Sequence, residues 1–226
     1  MKNVTCVIPS RMSSSRFPGK PLVKIRGREL ILRVCDIAAQ TSVNEILVAT
    51  EDKEIADIVE RNGYKSVMTG KHPTCTHRVC EVAKSLDSDY ILNLQGDEPC
   101  VDPELIDDMI KRSYGHQMVQ ATYPISQDDL YDEDCVKAVV NNGKIIYLTR
   151  NPEVITENLC GIAGIYVYDN ETISNFDLYD TRLVEAWRGL DTFAFIGIVP
   201  VVPYELPSRT HAVDRPTDVV TVESNL

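Results

Sequence analysis

Three cations stand close together near the start of the chain: Arg11, Arg16 and Lys20, in the stretch IPSRMSSSRFPGKPL that runs from Ile8 to Leu22. Ser13, Ser14 and Ser15 lie among them, with Pro18, Gly19 and Pro21 around the lysine. A loop that wraps a polyphosphate has this composition: hydroxyls and backbone N–H groups donate hydrogen bonds, and fixed cations neutralise oxygens. Neither of two common phosphate loops is present. A P-loop needs glycine five residues before the Gly-Lys pair and Ser or Thr after it, where Ser14 and Pro21 stand, and no GxGxxG occurs.

A second polar group, Gln95-Gly96-Asp97-Glu98-Pro99, follows the apolar run DYILNL. Asp97 suits Mg²⁺, which takes one or two carboxylates together with substrate phosphates and waters. A turn aspartate bonding its own backbone is the alternative. The histidines (His72, His77, His116, His211) show no spacing that suits a nucleophilic triad. Seven cysteines include no pair of pairs in zinc register, Cys75 and Cys80 being the nearest two. They read as free thiols in a reducing cytoplasm.

These groups need elements to hold them. Val4–Ile8 has the composition of a buried strand, Arg28–Ala39 has apolar residues at helical spacing, and Glu45–Thr50 reads as a strand. A helix over Asp52–Asn62, a strand over Lys65–Met68, a helix over Thr76–Leu86 and a strand over Asp89–Leu94 follow. The repeated β-α order with short connections predicts an α/β fold, a mostly parallel sheet with helices on both faces. Sites in such sheets gather at the carboxyl ends of the strands, which puts both polar loops on one rim. Asp102 and Pro103 start a helix that runs to Tyr114. Beyond it, Gln117–Tyr123, Val136–Asn141, Ile145–Leu148, Gly161–Tyr168 and Phe193–Val202 read as strands, with Asn142-Gly143 a hairpin turn. Thr181–Leu190 reads as a short helix.

At 226 residues, 43% of them hydrophobic, the chain fits a single domain over 1–226 with a small lobe in its second half, from about residue 118 to about 200. Its net charge of −11 excludes general nucleic-acid binding, which needs a basic face. No run reaches the roughly 18 apolar residues of a membrane span, and Met1-Lys2 leads straight into a strand. The expectation is a soluble, cytoplasmic protein whose basic loop draws in a small anion.

With both loops in view, the chain resembles the 3-deoxy-manno-octulosonate cytidylyltransferases (CMP-Kdo synthetases), within the CMP-sugar synthetases. The opening stretch matches their signature loop with Ser10 in place of the usual alanine, QGDEP matches unchanged, and VDRPTD (Val213–Asp218) is similar to their VDTPED segment. The resemblance implies a nucleotide-diphospho-sugar transferase-like fold of Rossmann type. It also implies attack by the anomeric hydroxyl of a 2-keto sugar acid on the α-phosphate of CTP, with pyrophosphate released. By that resemblance Arg11, Lys20 and Asp97 are the catalytic candidates. Pro9, Ser14, Arg16, Arg78 and Gln95 complete the nucleotide set. Gln95, Arg150, Tyr166, Glu185 and Arg188 are the sugar set, and Asp97 with Asp214 holds Mg²⁺. As a residue, Asp214 could equally cap a helix before Pro216, and Arg78 could be an ordinary solvated helix residue. Glu98 reads as a residue that orders its loop. The resemblance further implies a homodimer. Cys75 stands where the family has glycine, Ile162 where it commonly has histidine, and Leu178 where it has glutamate. These departures cluster in the sugar half, so the acceptor is open: Kdo, an amino variant or another 2-keto acid. A sugar-phosphate nucleotidyltransferase of the same fold and a non-catalytic nucleotide binder are the competing readings.

Overall fold

A computed structural model describes residues 2–151, 158–179 and 190–226. Its centre is β1 (Val4–Ser10), every residue of which is buried. Strands alternate their side chains between faces. Accordingly Val4, Cys6 and Ile8 join the core on one side of the sheet and Val7 joins the core on the other.

Around it lie β2 (Lys24–Ile25), β3 (Arg28–Glu29), α1 (Leu30–Ala38), β4 (Glu45–Thr50), α2 (Lys53–Arg61), β5 (Lys65–Met68), α3 (Cys75–Ala83), β6 (Tyr90–Leu94) and α4 (Pro103–Ser113). The later elements are β7 (Met118–Pro124), α5 (Gln127–Tyr131), β8 (Lys137–Asn141), β9 (Lys144–Thr149), β10 (Leu159–Asp169), α6 (Asn170–Ser174), β11 (Val201–Glu205) and α7 (Asp218–Asn225). The main sheet runs β11-β7-β10-β6-β1-β4-β5, with the β8–β9 hairpin attached to the start of β10. β1 pairs parallel with β4 and β6, and β4 with β5. The parallel sheet expected for the first half is therefore present. β10 runs antiparallel between β6 and β7, which makes the whole sheet mixed.

Helices cover both faces. Apolar residues of α1, α2 and α4 (Ile31, Ile55, Ile106) pack on one face. Val79 and Val82 of α3 and Ile173 of α6 pack on the other. Asp102 caps α4 by accepting the Glu104 N–H at 2.9 Å. Asn142 and Gly143 both take positive φ, 48° and 69°, as a primed hairpin turn requires.

One expected strand is wrong. Phe193–Val202 is not extended throughout: Asp191–Ala194 form a 3₁₀ turn, the chain turns at Gly197, and β11 begins only at Val201. Phe195 stacks on Phe176 at 5.0 Å and on Tyr168 at 5.4 Å. The apolar run thus plugs the core as an aromatic cluster and does not pair along a ladder. The stretch from 181 to 189 of the expected late helix lies outside the described residues. Helices α5 and α6 were not anticipated, and α7 only as the helix that Asp214 could cap. Each is short, and Asp218 rather than Asp214 accepts the N–H groups ahead of α7, from Asp214 (2.8 Å) and Arg215 (2.7 Å).

Candidate active site

The loops after β1 and β6 meet at the carboxyl edge of the sheet. Met12 N–H donates to Asp52 Oδ2 at 2.7 Å, and Gly19 N–H donates to Met12 O at 3.0 Å. That closes the serine-rich loop and sets Lys20 at the start of a single 3₁₀ turn (Lys20–Leu22). Gly96 permits the contact between the two loops: a Cβ there would lie 3.1 Å from Pro9 O and 3.3 Å from Ile31 Cδ1.

Lys20 Nζ donates to Asp97 Oδ2 (2.6 Å) and to Val213 O (2.7 Å), and Val213 N–H donates to Asp97 O (2.9 Å). The late segment is thereby tied to the QGDEP loop by side chain and main chain. Asp214 Oδ1 accepts from Arg16 (2.6 Å), whose other nitrogen donates to Asp134 Oδ1 (2.5 Å). Asp134 also accepts from Arg215 (2.7 Å). Both carboxylates expected at the metal, Asp97 and Asp214, thus stand beside Lys20.

The electrostatics follow from this crowding. Burial pushes the Asp214 carboxyl above its ordinary pKa and neighbouring Asp97 adds to it, against Lys20 and Arg16. Burial works against the charge of Lys20, but Asp97, by charge and hydrogen bond, and Asp214 outweigh it and the lysine's pKa is raised. Glu98 is buried, its Oε1 accepting from Gly164 N–H at 2.7 Å. Burial, then Asp97, pushes its pKa up to about 7.

The surrounding cleft has a volume of about 690 Å³. Pro9, Arg11, Ser14, Arg16, Lys20, Arg78, Gln95, Asp97, Arg150, Tyr166 and Asp214 all line it. Their settings differ. Arg11 is exposed and its guanidinium touches the His72 carbonyl at 3.4 Å. Arg78 is no solvated helix residue: it is 2% exposed, paired with Glu51 at 3.1 Å and bonded to Thr69 and the Gly70 carbonyl. Its guanidinium ties the 69–70 turn to the floor of the cleft. Arg150 donates to the carbonyls of Glu133 (2.9 Å) and Asp134 (3.3 Å). Gln95 Nε2 reaches the Tyr166 hydroxyl at 3.5 Å. Glu185 and Arg188 lie outside the described residues. Cys75 also lines the cleft, its thiol pushed up to about 11 by burial and then by Asp191 and Asp97.

Sequence reasoning missed Asp134, Arg209 and Asp191. Asp134 sits in an acidic run, Asp132-Glu133-Asp134, placed just before a strand. Arg209 binds Asp132 at 3.1 Å and also Asp129. Asp191 is the one charged residue in the stretch Leu190–Phe195, which is the signal that could have exposed it.

The cytidylyltransferase family matches residues 5–177. A 3-deoxy-manno-octulosonate cytidylyltransferase of Leptospira interrogans is 36% identical, over 98% of this chain and 95% of its own. The chain belongs to the 3-deoxy-manno-octulosonate cytidylyltransferase family. A member from Chlamydia pneumoniae is 33% identical over 96% of this chain and 91% of its own. The solved structure of a CMP:2-keto-3-deoxy-manno-octonic acid synthetase complexed with CTP superposes with a TM-score of 0.89 at 28% identity, over 98% of this chain and 97% of that one. Family and fold together make the chain a nucleotidyltransferase. No helix among the described residues is long and apolar enough to cross a membrane.

Proposed function

We propose that this protein activates a 2-keto-3-deoxy sugar acid, Kdo or a close relative, with CTP, giving the CMP-sugar and pyrophosphate. The observation that carries the reading is the Lys20 ammonium, held within hydrogen-bond distance of Asp97 and of the main chain next to Asp214. Segments nearly 200 residues apart, Lys20 and Val213, meet there.

A triphosphate carries about four negative charges, so positioning and neutralisation do most of the catalytic work. Arg11 faces solvent in the cleft and takes phosphate oxygens as a planar fork. Lys20 and Arg16 exchange their carboxylate partners for phosphate when the nucleotide enters. Gln95, beside Tyr166, orients the acceptor so that its anomeric hydroxyl attacks the α-phosphate. The oxygen–phosphorus bond forms as the bond to the pyrophosphate oxygen breaks, and the proton of the hydroxyl leaves to water or to the departing pyrophosphate.

Among the described residues no group of three or more His, Cys, Asp or Glu could alone enclose a metal. Mg²⁺ does not need one: two oxygen ligands from protein, with phosphates and waters, complete its shell. Asp97 and Asp214 supply hard oxygens of that kind; burial, and then the charge of Asp97, raises the pKa of Asp214. They fit the ion and would hold it. When bound, Mg²⁺ offsets phosphate charge and acidifies a coordinated hydroxyl.

The free cysteines suit a reducing cytoplasm. Exposed Ile146, Tyr147 and Ile198 suit a homodimer contact in the second-half lobe. Pyrophosphate release from each nucleoside triphosphate, with a panel of 2-keto sugar acids and sugar phosphates, tests the function. Release with CTP and a 2-keto acid is expected. Release only with a sugar phosphate and another triphosphate would replace this reading by the sugar-phosphate one.

A further inference from the structure

A run of ion pairs joins three separate stretches of the chain at the cleft. Arg16, in the loop after β1, donates to Asp214 Oδ1 (2.6 Å) and to Asp134 Oδ1 (2.5 Å). Arg215, in the segment ahead of α7, donates to the second oxygen of Asp134, Oδ2, at 2.7 Å. Asp134 itself precedes β8 and lines the cleft with Arg16 and Asp214. Its side chain is 22% exposed, against 40% for Arg16 and 56% for Arg215, so the arginines are the members free to swing.

The turn that carries Asp134 is fixed from behind. The Asp134 N–H donates to Asp132 Oδ1 at 2.9 Å, and the Cys135 N–H donates to Asp132 O at 3.2 Å. Lys137, which has no exposed surface, donates from Nζ to Asp132 O (2.5 Å) and to Arg150 O (2.6 Å). The turn thus presents one carboxylate to Arg16 in a set position. The bond from Arg215 is the largest influence on the pKa of Asp134. Together with the bond from Arg16 it outweighs burial and holds the carboxyl below its ordinary value.

The two carboxylates on Arg16 meet a bound nucleotide differently. Asp214 stands beside Asp97 and Lys20 and serves the filled site as a ligand of Mg²⁺. Asp134 lies on the other nitrogen of the guanidinium, and its charge repels an incoming triphosphate. Lys20 is bonded to Asp97 and takes the reacting phosphate, whereas Arg16 stands one carboxylate further out and faces the β- or γ-phosphate. In the empty protein Asp134 therefore fills the place of an outer phosphate oxygen. Arg215 makes the exchange reversible, because Asp134 keeps that partner when Arg16 turns away and is not left as an unpaired charge in the cleft.

We propose that Asp134 is a specificity-determining residue: it competes with the nucleotide for Arg16, and phosphates beyond the first are needed to displace it onto Arg215. The inference rests on the nucleotidyl-transfer reading above and gives it a means of preferring the triphosphate to the monophosphate. Once pyrophosphate has left, Asp134 recovers Arg16 and opposes its return.

Titration calorimetry of CTP and of CMP, with Mg²⁺ present and no sugar acid, tests the assignment. Asp134→Asn is expected to bind CTP about fivefold tighter or more, with CMP within about twofold of wild type. Arg215→Gln is expected to weaken CTP by about threefold or more, again with little change on CMP, because Asp134 then loses its second partner. Added to Asp134→Asn, Arg215→Gln should change CTP affinity by less than about twofold. A larger loss there would mean that Arg215 acts on the nucleotide directly, and overturns its role. Unchanged or weaker CTP binding by Asp134→Asn overturns the proposal, as does an equal gain on CMP, which a general relief of negative charge would give. Should the asparagine variant fail to fold, Arg215→Gln decides: a loss confined to CTP supports the competition, and no loss, or an equal loss on CMP, overturns it. These failures leave cytidylyl transfer standing, whereas wild-type protein that binds no CTP overturns that reading and this inference together.

Discussion

Along the β1–β6 rim, Lys20 and Arg16 are already engaged by Asp97, Asp134 and Asp214, whereas toward β10 and β7 Asp191, Gln120 and Tyr168 keep polar atoms with no partner. The two ends of one cleft are thus prepared for binding in opposite ways. The loop proposed to bind a highly charged anion keeps Lys20 and Arg16 paired with carboxylates that the anion would displace, and leaves Arg11 facing solvent. An end that receives a single charge and a few hydroxyls carries a smaller penalty, and it can leave bonds open for the ligand to complete.

The largest effect is expected from Asp97→Asn. It removes the carboxylate assigned to Mg²⁺ while keeping shape and hydrogen bonding, so turnover should fall by about three orders of magnitude or more while the far-ultraviolet circular dichroism is retained. Wild-type rates at limiting Mg²⁺ would break the assignment of this end of the cleft. Lys20→Ala should lower kcat/KM for CTP by roughly a hundredfold, through lost charge stabilisation on the phosphates. The KM for the sugar acid should stay near its original value. If both constants move together, the two ends are not separable and the contrast fails.

The smallest effect sharpens the contrast at the junction. Glu98 holds its proton up to about pH 7 in the folded protein, against an ordinary value of 4.5. Between those values the folded state binds more protons than the unfolded one, so stability falls as pH rises through this window. In ligand-free protein the loss is on the order of 2 kcal/mol. Glu98→Gln fixes the neutral form and keeps an oxygen for the Gly164 N–H. Urea denaturation at pH 5 and pH 8 should show a fall for wild type and little change for the variant. Parallel slopes would mean that Glu98 is ionised throughout.

The same division explains what could be read from the chain. Glu45–Thr50 and Lys65–Met68 end where expected because short runs of strand-forming residues closed by polar ones are a local signal, in the interior of the sheet and at its edge alike. The convergence of Lys20 and Asp97 was legible because both loops follow strands of one parallel sheet. The pairing of Arg16 with Asp134 was not, since it depends on where an antiparallel hairpin and its preceding loop come to rest. Phe193–Val202 had strand composition, yet its aromatic rings found Tyr168 and Phe176 first. Asp191 is a residue whose surroundings come from β7, β10 and α3, and no window around it contains them.

The close approach of Gly96 to Pro9 bears on how such a protein can be redesigned. Two catalytic turns share an ångström-scale seam, so enlarging either displaces the machinery that handles the nucleotide. New substrates would have to be sought by editing the opposite flank, where side chains from three strands can be exchanged without touching that seam.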